Sequence, residues 1–401
     1  MKRVSTNLDV RVANAEKVYS VLRRFGDLTK SELVGHVQLS FASVSNMCSD
    51  LEKVGLISVT ENVRSTGGRK AARVSFCPDF AYTLVIDMHH TQHVFMGFVN
   101  LRNEIRDCTR FEVSDDDSLE TILSNIKTSF DLLQKGNAGN ILGVCVGVSA
   151  AYDPVTGRLL QSSNPVFEGV QLKRHISELF PEKMVIIDND ANLAGLSQMM
   201  EGTVVGKNLL SIFFTQGIGL GIVIDGKLYR GTNGFAGELG HIKVSGLMKP
   251  CKCGGTGCLR TVATLESIAQ DLGEMKQLHD LVTSAEYASY LALRYAAGEE
   301  RVIQRINLSA QKIGEVMAEL FDLFNPQEIM LGGNMSPLFP YMKLLVTKRC
   351  KELSNLARAV DLQIRYVEGT TSELVLIGGG ERMFQHWMET SFLNLAMIME
   401  K

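Results

Sequence analysis

The 401-residue chain has no run of eighteen apolar residues, which excludes a helix that spans a membrane. It has no apolar stretch behind a charged N-terminus either, so no secretory leader is indicated. A disulfide framework is also missing. Five of the eight cysteines, Cys48, Cys77, Cys108, Cys145 and Cys350, are scattered without a pairing pattern, as small core residues of a reducing compartment would be. A soluble, cytoplasmic protein is the expectation. At this length one hydrophobic core does not suffice, so two or three domains are expected. Charge is distributed unevenly: residues 1–75 carry 12 Lys and Arg against 7 Asp and Glu, a net of +5, and the remainder nets −8. A basic head on an acidic body suits a head that meets a polyanion.

What is present begins with the other three cysteines. His241, Cys251, Cys253 and Cys258 fall within eighteen residues. Three thiols and an imidazole are the ligand set of a closed, tetrahedral structural zinc site, which needs no open position. Gly254, Gly255 and Gly257 permit the positive backbone angles of a tight knuckle around one ion.

The head has its own pattern. Val12, Ala15, Val18, Tyr19, Leu22 and Phe25 recur at helical spacing, and Gly26 follows. Thr29 and Glu32 form a capping box that opens a short second helix to about His36. After the turn Val37–Leu39, Ser40 is an N-cap for a helix from Phe41 to Val54, with Gly55 as its stop. Leu56–Val59 and Ala72–Phe76 read as paired strands around a basic loop. This is the order of a winged helix-turn-helix, spanning residues 1–77. In that motif the third helix enters the major groove. The candidate DNA-binding residues are therefore Ser40, Phe41, Ala42, Ser43, Ser45 and Asn46, with Arg64, Arg69 and Lys70 of the wing on phosphate or the minor groove.

The body alternates strands and helices twice over. Strands are expected at Tyr82–Ile86, Phe95–Val99, Ile141–Val148, Met184–Ile187, Leu209–Phe214, Gly221–Ile224 and from Gln327, with a helix from Leu119 to Gln134. The duplication implies an α/β fold of two similar lobes facing one cleft, residues 78–195 and 196–381, with 382–401 packing back onto the first.

Here the chain resembles the ROK family of sugar kinases and sugar-responsive repressors. Gly237-Glu-Leu-Gly-His241 followed by Cys251-x-Cys-Gly-x-x-Gly-Cys-Leu259 is similar to its signature. Asn189–Asn192, Asp225–Gly231 and Leu331–Gly333 resemble further blocks. A winged head before this body resembles the repressor branch, of the xylose and N-acetylglucosamine type. The resemblance implies an actin-like, sugar-kinase-type body, an operator on double-stranded DNA and a homodimer or homotetramer. It also implies effector contacts from Asn164, Asn189, Asp190, Glu238 and His241, with Asp190 matching the catalytic base of the kinases.

Two departures from the family pattern matter. Kinases of the family carry D-x-G-G-T-K in the first loop, where glycine amides approach phosphate. This chain has Asp87-Met-His-His-Thr-Gln92, so loss of kinase activity is expected. Arg260 stands where relatives carry a sugar-binding acid, and its donors suit a sugar phosphate or acidic sugar as effector. The expectation is a zinc-stabilised, carbohydrate-responsive transcriptional regulator, more a repressor than an activator. A sugar kinase with an appended head, and a regulator controlled by a protein partner, stay open as alternatives.

Overall fold

In a computed structural model of the protein, the described residues are 7–60, 72–114, 116–136, 139–200, 208–281, 284–360, 362–367, 371–390 and 392. The head follows from its local signals. Helix α1 (Asn7–Phe25) buries Val12, Ala15, Val18, Tyr19 and Leu22. Phe25, the last residue of the expected stripe, is instead 51% exposed and stacks on His36, ring centroids 4.6 Å apart. Strand β1 (Leu28–Thr29) leads into α2 (Lys30–Val37), where Glu32 N donates to Thr29 Oγ1 and Thr29 N donates to Glu32 Oε2. Ser40 Oγ accepts from Ser43 N at the start of α3 (Phe41–Lys53). Strands β2 (Ile57–Thr60) and β3 (Arg73–Phe76) pair antiparallel, and β1 adds to the far edge of β3. Arg64, Arg69 and Lys70 lie outside the described residues.

The first lobe is a five-stranded sheet. Strands β4 (Ala81–Met88), β5 (His93–Asn100) and β6 (Ile105–Glu112) form an antiparallel meander. Helix α4 (Leu119–Gly136) then crosses to β7 (Asn140–Val148), parallel to β4. A small hairpin of β8 (Ala151–Tyr152) and β9 (Leu159–Leu160) and helix α5 (Leu172–Leu179) precede β10 (Met184–Asn189), parallel to β7, and helix α6 (Asp190–Met200).

The second lobe repeats this plan. Strands β11 (Leu209–Phe214), β12 (Ile218–Ile224) and β13 (Lys227–Leu228) are antiparallel. Helices α7 (Arg260–Ala263), α8 (Leu265–Leu272), α9 (Met275–Asp280), α10 (Ser284–Ala296) and α11 (Glu300–Phe324) follow, then β14 (Glu328–Gly333). Helices α12 (Phe339–Leu353) and α13 (Asn355–Ala359), β15 (Gln363–Tyr366) and α14 (Thr371–Thr390) complete the described chain. The sheet orders, β6-β5-β4-β7-β10 and β13-β12-β11-β14-β15, are the same pattern. The two-lobed, actin-like α/β architecture is thus built by duplication.

Helices α6 and α14 form the seam between the sheets. Leu193 and Leu196 of α6 and Val375, Leu376 and Met383 of α14 pack on the first sheet, while Ala191, Ala194 and Leu374 meet Leu209, Phe213 and Met330 of the second. Helix α14 begins at Thr371, well before the expected packing segment at Arg382. Its run Gly378–Gly380 lies where a Cβ would strike the Leu193 carbonyl, Val85 and Val99 in turn. An interior helical glycine costs about 1 kcal/mol relative to alanine, so close backbone contact is what keeps the run helical. The end of α14 and the chain just beyond it join the head core: Phe384 and Phe392 are buried with Tyr19, Leu22 and Phe76.

Candidate functional site

Beyond β13 the chain turns through a short 3-10 segment, Leu239–His241, and the bridges Lys243 to Cys258 and Pro250 to Thr256 fold the next loop back on it. The ligand atoms of His241, Cys251, Cys253 and Cys258 come within 4.8 Å of one another. His241 Nδ1 faces Cys251 Sγ at 3.8 Å, and Cys253 Sγ lies 3.7 Å from Cys258 Sγ. Gly254 and Gly257 take φ of +85° and +69°, whereas Gly255 does not need a positive angle. Lys243 Nζ donates to Cys258 Sγ at 3.1 Å. Burial, reinforced by Arg260 and Lys243, pushes the His241 pKa down and keeps the imidazole neutral, the form that binds metal. The donor set and its convergence fit a closed four-coordinate metal site.

Next to this knuckle a small cavity of about 50 Å³ opens where the strand ends of both lobes meet, lined by Asn189, Asp190, Thr215, Glu238, His241 and Arg260 among others. Gly237 makes the turn possible. It holds φ +95° with the Leu220 carbonyl against the position of a Cβ, so no side chain fits there, and Glu238 and His241 follow at fixed positions. Asp190, 3% exposed at the start of α6, accepts from Thr215 Oγ1 at 3.3 Å and Ala191 N at 2.9 Å. Burial pushes its pKa up to about 6, against the pull of His89. Burial also raises Glu238, with Asp190 adding to the effect and Arg260 opposing it. Arg260 donates to Gln216 O at 3.3 Å and stands 3.9 Å from Glu266 Oε2, which leaves most of its donors for a ligand.

Two expected contacts are otherwise engaged. Asn164 is not among the cavity's lining residues; its Oδ1 accepts from Val166 N at 3.0 Å and caps a short 3-10 turn, while its Nδ2 reaches Thr91 O at 3.5 Å. Asn189 lines the cavity, but its side chain accepts from Ala191 N and donates to Ala150 O. A link that the motifs did not expose ties the lobes together. Arg230 of the Asp225–Gly231 block donates to Asp188 Oδ2 from Nη2 at 2.5 Å and Nε at 3.0 Å.

The first loop of the body is filled from within. His89 Nδ1 lies 2.7 and 2.8 Å from the two Asp87 oxygens, and neither side chain is exposed. Burial opposes both charges, yet their mutual attraction wins: Asp87 is held below its usual range and His89 above its own. His90 lies against His89, with ring centroids 3.8 Å apart and planes tilted by 42°, and burial with the neighbouring charge pushes its pKa down to about 3.

A family model, the ROK family, matches residues 83–365. The chain belongs to the ROK family. A xylose repressor of Caldicellulosiruptor bescii is 28% identical over 326 residues, covering 77% of this chain and 80% of the relative. A glucokinase of Halalkalibacterium halodurans is 31% identical over 260 residues, covering 60% and 77%. A solved ROK-family transcriptional regulator, a homologue of the E. coli MLC protein, superposes with a TM-score of 0.78 at 20% identity, over 96% of this chain and 99% of that one. That likeness takes in the head as well as the body of the ROK fold.

In this ROK chain the third helix of the head presents Phe41, 56% exposed, with Ala42 and Asn46 also exposed. The serines serve the protein. Ser40 caps α3, Ser43 Oγ lies 2.9 Å from Ser40 Oγ, and Ser45 Oγ accepts from Lys30 Nζ at 3.0 Å. Lys30 was not among the expected contacts; no spacing rule links the start of α2 to the middle of α3. No helix among the described residues is long and apolar enough to cross a membrane.

Proposed function

We propose that this ROK protein is a DNA-binding transcriptional regulator of the repressor type, whose two-lobed body senses a carbohydrate-type effector without phosphorylating it. The observation that carries the reading is the buried Asp87–His89 pair. It occupies, with side chains and an internal charge pair, the loop whose glycine amides would approach phosphate in a kinase. Asp190 alone favours a kinase, but a carboxylate that accepts a hydroxyl proton in an enzyme also accepts a hydroxyl hydrogen bond in a sensor. Domain limits of 1–77, 78–195 and 196–381 are assigned on the same reading, with the chain from Arg382 counted to the first lobe.

In the cavity, Asp190 and Glu238 accept hydrogen bonds from ring hydroxyls. His241 turns Nδ1 to the knuckle and leaves its other nitrogen for the ligand, while Arg260 pairs with a phosphate or carboxylate on the sugar. Zinc held by His241, Cys251, Cys253 and Cys258 would crosslink this wall and fix the imidazole. Phe41, Ala42 and Asn46 enter the major groove, with Arg64, Arg69 and Lys70 on the backbone. Lys30 joins the phosphate contacts, and a homodimer or homotetramer pairs two heads on adjacent half-sites.

Genome-wide mapping of bound sites tests the regulator reading and names the regulated genes. Affinity for a mapped site should fall steeply with salt as phosphate contacts release counterions; a flat dependence would remove the DNA-binding assignment. Calorimetry with hexoses, their 6-phosphates and uronates tests the effector class. Tight binding of a plain hexose alone would refute the role given to Arg260.

A further inference from the structure

Between the cavity and the head runs a line of charged side chains that neither the cavity nor the metal knuckle uses. Asp188, two residues before Asp190, is 5% exposed at the end of β10. Its Oδ2 accepts from Arg230 of the second lobe and stands 3.4 Å from Arg382 Nε of α14; its Oδ1 accepts from Asn192 at 2.9 Å. The residue beside Arg382, Glu381, belongs to a different contact. Its Oε2 accepts from Arg23 Nη2 of the head at 2.7 Å and from Asn103 Nδ2 at 3.0 Å, and its Oε1 accepts from Gln385 at 2.9 Å.

Arg23 completes the joint from the other side. Its Nε donates to Leu101 O at 2.6 Å, and its guanidinium carbon lies 3.7 Å from the centroid of Phe384. Arg23 and Glu381 side chains are only 8% and 6% exposed. Two charges taken out of water are tolerated when their geometry satisfies both, and removing one partner strands the other. Turning the head on the body would break the bonds from Arg23 to Glu381 and to Leu101 O together.

We propose that Arg23 and Glu381 are positioning residues that dock the head on the body, and that the Arg230–Asp188–Arg382 node passes the separation of the lobes to that dock through adjacent residues of α14. Closing or opening the lobes loads or unloads Arg230 on Asp188. Arg382 follows, and the neighbouring Glu381 holds or releases Arg23, giving the head a docked and a released state for operator binding. The inference rests on the cavity as the site whose occupancy moves the lobes, but its test needs no effector.

Lying between two sites does not itself establish coupling, so the test is a mutant cycle read by amide hydrogen exchange on the full chain. Arg230→Met loosens the far end of the line. It should raise exchange of α1 and α3 amides about threefold or more in the otherwise unchanged protein, whereas Arg230→Lys should leave it near the starting rate. Arg23→Met with Glu381→Met should free the head, with exchange about tenfold faster or more, and adding Arg230→Met should then change nothing. Should the double variant not fold, Glu381→Gln serves as the uncoupled background. If Arg230→Met acts equally in both backgrounds, or leaves the head unchanged in the first, the proposal is overturned and the Arg23–Glu381 pair is structural only. Absence of sugar binding in calorimetry would count against the effector reading and leave this cycle standing.

Discussion

The two sides of the cleft have been treated oppositely. On the first lobe, the loop that follows β4 is filled by two imidazoles in contact and an internal ion pair. On the second lobe, the turn at Gly237 and the His241–Cys258 cluster hold Glu238, His241 and Arg260 against a cavity. On the proposed reading, the half that would face a sugar is open and the half that would face a phosphate is filled. The difference teaches that the two halves of one duplicated plan can be packed in opposite ways by the residues of a single loop.

The largest effect should come from the second-lobe wall. Cys253→Ala should abolish stoichiometric metal, measured by elemental analysis, and lower the unfolding temperature by several degrees, because structural metal binding is folding free energy. Effector response should fall with it. If response persisted with the metal gone, the wall would not depend on the knuckle. Asp87→Asn tests the other half. It leaves His89 buried without its carboxylate and should cost about 3–5 kcal/mol in urea unfolding. Sugar affinity, by contrast, should stay within about twofold, a change of less than 1 kcal/mol. A large loss of sugar binding would mean that the two halves are not separate.

Asp190 sits where the halves meet and gives a pH signature. Its folded pKa of about 6 lies above the unfolded carboxylate value near 3.9. Relative to Asp190→Asn, the wild type should be most stable below the unfolded value and should lose up to about 3 kcal/mol as pH rises through 6. Parallel stability curves for the two proteins from pH 4 to 7 would show that the carboxyl is not so perturbed. The smallest effect expected is one of preference. Arg260→Glu should weaken sugar phosphates or uronates about tenfold, close to 1.4 kcal/mol, and improve neutral sugars. Equal loss for both classes would make Arg260 a scaffold residue.

Much of this was legible before the structure. The head could be read because its signals are local: the Thr29–Glu32 box, the Ser40 cap and the glycines after the first and third helices lie within a few residues of what they bound. The convergence of His241, Cys251, Cys253 and Cys258 was legible for the same reason. Strand β6 escaped because Ile105–Glu112 is half exposed and carries no apolar run, and β1 because two residues hold no period. The start of α14 was hidden by Gly378–Gly380, which reads as a break until Leu193, Val85 and Val99 are known to press against it. Asn164 was carried over by resemblance, yet its amide is spent on a local cap. Arg23 and Glu381 lie 358 residues apart, and no pattern along the chain can join them.

The most direct test of a cleft open to sugar but closed to phosphate transfer is one calorimetric titration: a panel of hexoses, 6-phosphates and uronates into the protein with magnesium and ATP present. The account predicts a saturating binding isotherm for at least one acidic or phosphorylated sugar, with no continuing heat after each injection. Sustained heat from turnover, or no binding across the panel, would contradict it.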